Sequence, residues 1–153
     1  MDEAFALAEE AEADGEIPVG AVVVDREGRV IGRGRNRRES GDPLGHAEIC
    51  AIREAAASIE GWRLDGTTMY VTLEPCAMCA GALVNARIER LVFAAHDPKA
   101  GFCGSLGNLV HDPRLNHRLT VEGGFQEERS REMLQRFFRE LRARNTTERW
   151  QSG

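Results

Sequence analysis

The feature that most restricts how this chain can fold is a divided set of soft ligands, His46-Ala47-Glu48 and, far downstream, Pro75-Cys76-Ala77-Met78-Cys79. If both parts serve one ion, two separate elements must end side by side. Cys76 and Cys79 stand at i and i+3, neighbours on one helical face, so both sulfurs can reach an ion that His46 meets from another helix. Two thiolates and a neutral imidazole cancel the charge of Zn²⁺ and leave a fourth tetrahedral position for water, whose pKa a catalytic zinc lowers to about 7. Both ligand groups are expected at helix N-termini, where the backbone dipoles favour the thiolate. Glu48 reads as a proton shuttle rather than a ligand, placed to take a proton from water and return it to a leaving group.

Two other readings use the same residues. Cys50, four residues after His46, could complete a closed Cys₃His structural site, which would leave Glu48 and Pro75 without a role. A Cys-x-x-Cys redox pair would need neither the histidine nor the acid.

The rest of the chain supplies a scaffold of alternating helices and strands. Ala4, Leu7, Ala8 and Ala11 form the stripe of an acidic first helix that Gly15 should stop. Ala21–Val24 and Arg29–Gly32, joined at Glu27-Gly28, read as a hairpin, and residues 36–45 as a polar loop. A helix from His46 to about Ser58, a strand over Thr67–Leu73, a helix opened by Pro75 and running to Ala86, and a strand over Arg90–Ala95 follow. Residues 96–117 are rich in Gly, Asp, Pro and Asn and read as a long functional loop. Leu119–Val121 is a short strand signal, and Met133, Leu134, Phe137, Phe138 and Leu141 mark the apolar stripe of a closing helix. This pattern predicts one three-layer α/β domain over residues 1–145, with 146–153 as a flexible tail. Trp62 is expected to pack and Trp150 to sit on the frayed end.

With 153 residues and a net charge of −5, the chain is sized for one core and ill-suited to coating nucleic acid indiscriminately. The charge is uneven: residues 1–16 hold seven acids and no base, whereas 129–149 hold seven arginines against three glutamates. A local basic face is therefore available. No stretch approaches the ~18 apolar residues of a membrane span, and the acidic start is unlike a signal peptide, so a cytoplasmic location without membrane association is expected.

The joined His-x-Glu and Pro-Cys-x-x-Cys motifs resemble those of the cytidine deaminase-like zinc deaminases. Ile17-Pro18-Val19-Gly20, Asn36, Leu73 to Ala82, Asp97-Pro98-Lys99, Gly104-Ser105-Leu106, Asn116-His117-Arg118 and Phe137-Phe138 extend the likeness over nearly the whole chain, toward the members that act on adenosine in tRNA. The resemblance implies an α/β/α fold with a mixed sheet of about five strands, one zinc per subunit and a homodimer. It also implies hydrolysis of adenosine to inosine at the wobble position of a tRNA anticodon loop. On matching positions it implies His46, Cys76 and Cys79 as zinc ligands, Glu48 as the proton shuttle, and Asn36 with the Ala47 N–H as base contacts. Asp97, Lys99, Asn116, His117, Phe138 and Arg142 are implied as RNA contacts. Gly45, a short 36–46 loop and Phe102 depart from the family pattern near the pocket mouth. The alternatives are a free-base or nucleoside deaminase acting on guanine or cytosine, and a noncatalytic zinc-stabilised RNA-binding protein.

Overall fold

The computed structural model describes residues 1–152. In chain order the elements are α1 (Asp2–Ala13), β1 (Gly20–Val24), β2 (Val30–Arg35), α2 (Ala47–Ile59), β3 (Thr68–Leu73), α3 (Ala77–Asn85), β4 (Arg90–Ala95), β5 (Thr120–Gly123) and α4 (Glu127–Gln151). A single 3₁₀ turn, Leu109–His111, interrupts the long connection before β5. The five strands form one mixed sheet in the order β2-β1-β3-β4-β5. β1 pairs antiparallel with β2 and β3, and β3, β4 and β5 run parallel.

The three layers follow from strand alternation. Ala21 and Val23 of β1 join Val71, Leu91 and Phe93 in the main core beneath α2 and α3, to which Ala51, Ala55, Ala80 and Leu83 contribute. On the opposite face Phe5 and Ala8 of α1 meet Ala94 of β4 and Met133 of α4. Phe5 is wholly buried with the Arg129 guanidinium 4.1 Å from its ring centroid, so it anchors α1 more strongly than the surrounding alanines do.

Small residues bring α2 close to the sheet. A Cβ on Gly34 of β2 would collide with the Ala47 carbonyl oxygen, so glycine there lets the first turn of α2 lie directly on the strand. That turn carries the His46 end of the divided motif.

Two expectations change, and the C-terminal segment is helical. Pro75 does not open α3; it precedes the N-cap, Cys76, and its carbonyl accepts a hydrogen bond from the Phe102 N–H at 2.9 Å. Trp62 does not pack, but stands 59% exposed between Arg63 and Arg87, whose guanidinium carbons lie 5.3 and 5.7 Å from the ring centroid. Residues 146–151, expected as tail, continue α4 with every side chain exposed, and Gly153 lies outside the described residues. No glycine or proline interrupts residues 127–152, so nothing in the sequence breaks that helix.

Candidate active site

His46 and Cys76 are the N-caps of α2 and α3, and Cys79 is the third residue of α3. Their ligand atoms all lie within 4.8 Å of one another. The His46 Nδ1 is 3.6 Å from the Cys76 Sγ and 3.5 Å from the Cys79 Sγ. For Zn–S of about 2.3 Å and Zn–N of about 2.0–2.1 Å, a tetrahedral angle demands N···S separations of roughly 3.5–3.6 Å. The three side chains therefore fit a zinc ion in both chemistry and spacing. Cys50 stands outside this cluster and lines a separate recess between α1 and α2, and burial raises its thiol pKa.

The cluster is electrostatically divided. Hydrogen bonding from the Cys79 thiol, assisted by His46, pulls the Cys76 thiol down to about 4 against the cost of burial. The same pairing with Cys76, together with burial, pushes Cys79 strongly upward. The hydrogen bond to Cys76 raises His46. Glu48, in the first turn of α2, is 4% exposed, and burial raises its carboxyl. A carboxyl whose charged form is made costly by burial takes up a proton more readily, as a proton shuttle must.

These residues open onto a cavity of about 170 Å³ lined by Ile17, Val19, Asn36, Ala47, Glu48, Leu73, Glu74 and Asp97, with Arg38 at the same wall. This is well below the roughly 300–1,000 Å³ of a drug-sized ligand site, so it suits a single ring system rather than a whole nucleotide. Asn36 is buried, and its Nδ2 donates to the Ile17 carbonyl at 3.3 Å, which leaves Oδ1 as the free acceptor of the amide. The Ala47 N–H, at the start of α2, is one of the donors a helix leaves without an intrahelical partner.

The loop after β4 forms one wall. Asp97 Oδ1 accepts the N–H groups of Lys99 at 3.0 Å and Ala100 at 3.2 Å, a tight turn that places the two charged residues on different surfaces. Asp97 faces the cavity. Lys99 instead lines a groove of about 530 Å³ with His96, Arg131, Phe138, Arg139 and Arg142 of α4. Among the described residues Lys99, Arg139 and Arg142 have no carboxylate partner, whereas Arg131 pairs with Glu127 and Glu128. Phe137 is buried and Phe138 is exposed, which settles which ring faces outward.

The structure thus brings Asn36, His46, Ala47, Glu48, Cys76 and Asp97 to one cavity, with Cys79 completing the ligand set behind it, and Lys99, Phe138 and Arg142 to the adjoining groove. Asn116 and His117 line neither; the His117 Nε2 is 2.7 Å from the Ile88 carbonyl oxygen. Phe102 packs against the core and also lines neither. Sequence reasoning missed Arg38 and Glu74. Arg38 carries no signal beyond being one arginine in a polar loop. Glu74 is hidden inside the Leu-Glu-Pro-Cys motif, although an acid between a buried strand and a ligand is itself unusual.

The family model for the cytidine and deoxycytidylate deaminase zinc-binding region matches residues 1–95. The tRNA-specific adenosine deaminase of Bacillus subtilis (strain 168) is 50% identical over 143 residues, covering 93% of this chain and 88% of that protein. A solved structure from work on A-to-I editing by tRNA:A34 deaminases at the wobble position of transfer RNA superimposes with a TM-score of 0.83 at 44% identity, covering 88% of this chain and 97% of that one. A guanine deaminase from Nitrosomonas europaea is more distant, with a TM-score of 0.75 at 26% identity over 89% of this chain and 81% of that one.

Proposed function

This chain belongs to the cytidine and deoxycytidylate deaminase family, on the branch of the tRNA-specific adenosine deaminases, and from that premise we propose that it hydrolyses the wobble adenosine of a tRNA anticodon loop to inosine. The observation that carries this reading is the turn at Asp97–Lys99, which joins a base-sized cavity to a cationic groove bearing an exposed aromatic ring. A free base has no use for such a groove. An RNA strand does, because its phosphates meet arginine and lysine while an unstacked base meets an aromatic face.

His46, Cys76 and Cys79 would hold zinc, which when bound supplies a Lewis acid that makes water nucleophilic near neutral pH. Glu48 takes the proton of the attacking water and delivers it to the departing amino group, so that water and adenosine become inosine and ammonia with one carboxyl restored. Asn36 and the Ala47 N–H orient the ring, and the apolar wall of Ile17, Val19 and Leu73 keeps bulk water from its faces. Lys99, Arg142 and Phe138 take the flanking backbone and a neighbouring base. Of the pair before β5, His117 is engaged by the backbone through its Nε2 beside the Ile88 carbonyl oxygen, and the exposed Asn116 next to it would be the one to meet RNA. An anticodon loop already presents unpaired bases, which lowers the cost of extruding one.

A homodimer fits the α2–α3 layer, where Ile49 and Met78 are half-buried and Ile59 is exposed, an apolar face that a second copy would cover. Light scattering of the zinc-loaded protein tests this, and a monomer at assay concentration excludes it. Among the described residues no helix is long and apolar enough to cross a membrane. A cytoplasmic place of action follows from the substrate, since tRNA is held there.

The deciding experiment offers the zinc-loaded protein unmodified tRNA, free adenosine, guanine and cytosine, with products read by mass spectrometry. Inosine at the wobble position is the expected result. Product from guanine or cytosine with none in tRNA would transfer the assignment to a base deaminase, and no product from any of them would favour a noncatalytic RNA-binding role.

A further inference from the structure

Glu74 is 2% exposed, lies between the last residue of β3 and the Pro75-Cys76 segment, and has no role in the chemistry described above. A carboxylate so deeply enclosed must be hydrogen-bonded. All of its donors come from one loop. Oε1 accepts the Asp97 N–H at 3.1 Å and the Ser105 hydroxyl, and Oε2 accepts the N–H groups of Cys103 and Ser105, each at 3.1 Å. The loop is fitted to this acid: a Cβ on Gly101 would run into the Glu74 carboxylate, so only glycine lets the backbone close around it.

The main chain of Glu74 is equally committed, donating to the Ala95 carbonyl at 2.8 Å at the end of β4. One residue therefore connects three things: the strand pair, the zinc-ligand segment that follows it directly, and the loop that carries Asp97 to the cavity and Lys99 to the groove. We infer that Glu74 is a positioning residue for the substrate: it fixes the 97–105 loop relative to the zinc ligands and so sets where an extruded base and its flanking phosphates lie. The inference rests on the tRNA deaminase reading. No neighbouring side chain can take over, because charge-assisted hydrogen bonds to two oxygens are needed at once.

Glu74→Gln is the informative change. The amide is nearly isosteric, yet each carboxylate oxygen receives a backbone N–H, so the new NH₂ must oppose at least one of them. The variant is expected to keep wild-type zinc stoichiometry while the amides of 97–105 exchange faster with solvent. For an anticodon stem-loop substrate kcat/KM should fall about 10- to 100-fold, chiefly through KM, as when contacts that hold the substrate alike in its ground and transition states are weakened. Wild-type KM in the zinc-loaded variant, with or without faster exchange, overturns the inference, as does a loss confined to kcat. If Glu74→Gln does not fold, Ser105→Ala decides, since it removes one donor without touching the ligand segment. A KM raised about 3- to 10-fold with faster exchange in 97–105 supports the inference, and wild-type values overturn it. Failure of the underlying reading is seen separately, as wild-type protein that makes no inosine in tRNA.

Discussion

At the scale of single residues, hydrogen-bond partners give two similarly enclosed carboxylates different tasks. Glu48 and Glu74 are both almost fully enclosed, but burial dominates at Glu48 and raises its carboxyl, whereas at Glu74 the same burial is outweighed by hydrogen bonds from Ser105, Asp97 and Cys103 that hold it below the usual range. One is left able to exchange a proton, and the other is fixed as an anion. Glu48→Gln should keep its zinc, measured by elemental analysis, and lose roughly 10²–10⁴ of the single-turnover rate of inosine formation. A rate within a few-fold of wild type would remove Glu48 from the proton path. The thiols allow a second prediction. The hydrogen-bonded pair favours a single thiolate, with Cys76 lowered and Cys79 raised, so loading zinc into the metal-free protein at neutral pH should release the proton that the pair still shares. Because protons and metal compete for the same cluster, affinity should fall as pH falls, and titration in two buffers of different ionisation enthalpy measures the release. The cluster of His46, Cys76 and Cys79 was legible in the sequence because two cysteines at helical spacing, joined to a distant His-x-Glu, have few other uses. Glu74 was not, since its importance lies in partners more than twenty residues away.

Secondary-structure elements divide the work between chemistry and grip. The ligands and Glu48 sit at the starts of α2 and α3, on one side of the sheet, whereas the groove is made by α4, which packs with α1 on the other. The loop after β4 is the bridge between them. Replacing Lys99, Arg139 and Arg142 by glutamine should therefore weaken tRNA binding while leaving zinc content unchanged. The log–log slope of affinity against salt should flatten by about one for each phosphate that is no longer neutralised. An unchanged slope would move the RNA path elsewhere on the surface. Periodicity places most of these elements within a few residues, but it misplaces the start of α3. Pro75 has the signature of a first-turn proline, whereas its ring stands ahead of the Cys76 cap and its carbonyl is used by Phe102. Periodicity also passes over Phe5, because an alanine-rich stripe leaves a lone aromatic in its midst ambiguous until the facing helix is known.

For the whole molecule, the sheet order β2-β1-β3-β4-β5 places the β3 and β4 ends beside one another at the centre, and both carry site residues at their C-terminal ends. This is where open α/β sheets hold their ligands. The domain proper is proposed to end near residue 145, since every side chain of 146–151 is exposed. Truncation after Asn145 should thus leave zinc stoichiometry intact and shift Tm by no more than a surface change does, about 0.5 kcal/mol in stability. A large drop in Tm on calorimetry would show that the last turns of α4 are structural. The helical state of those turns was not foreseen, because their polarity suggested fraying while their lack of breakers allowed continuation. The cavity beside the ligands is only about 170 Å³. A loose nucleoside would find the same small hollow yet forgo the hold that α4 offers outside it, so selectivity among adenosine-bearing molecules would be set by how well the remainder of each is retained.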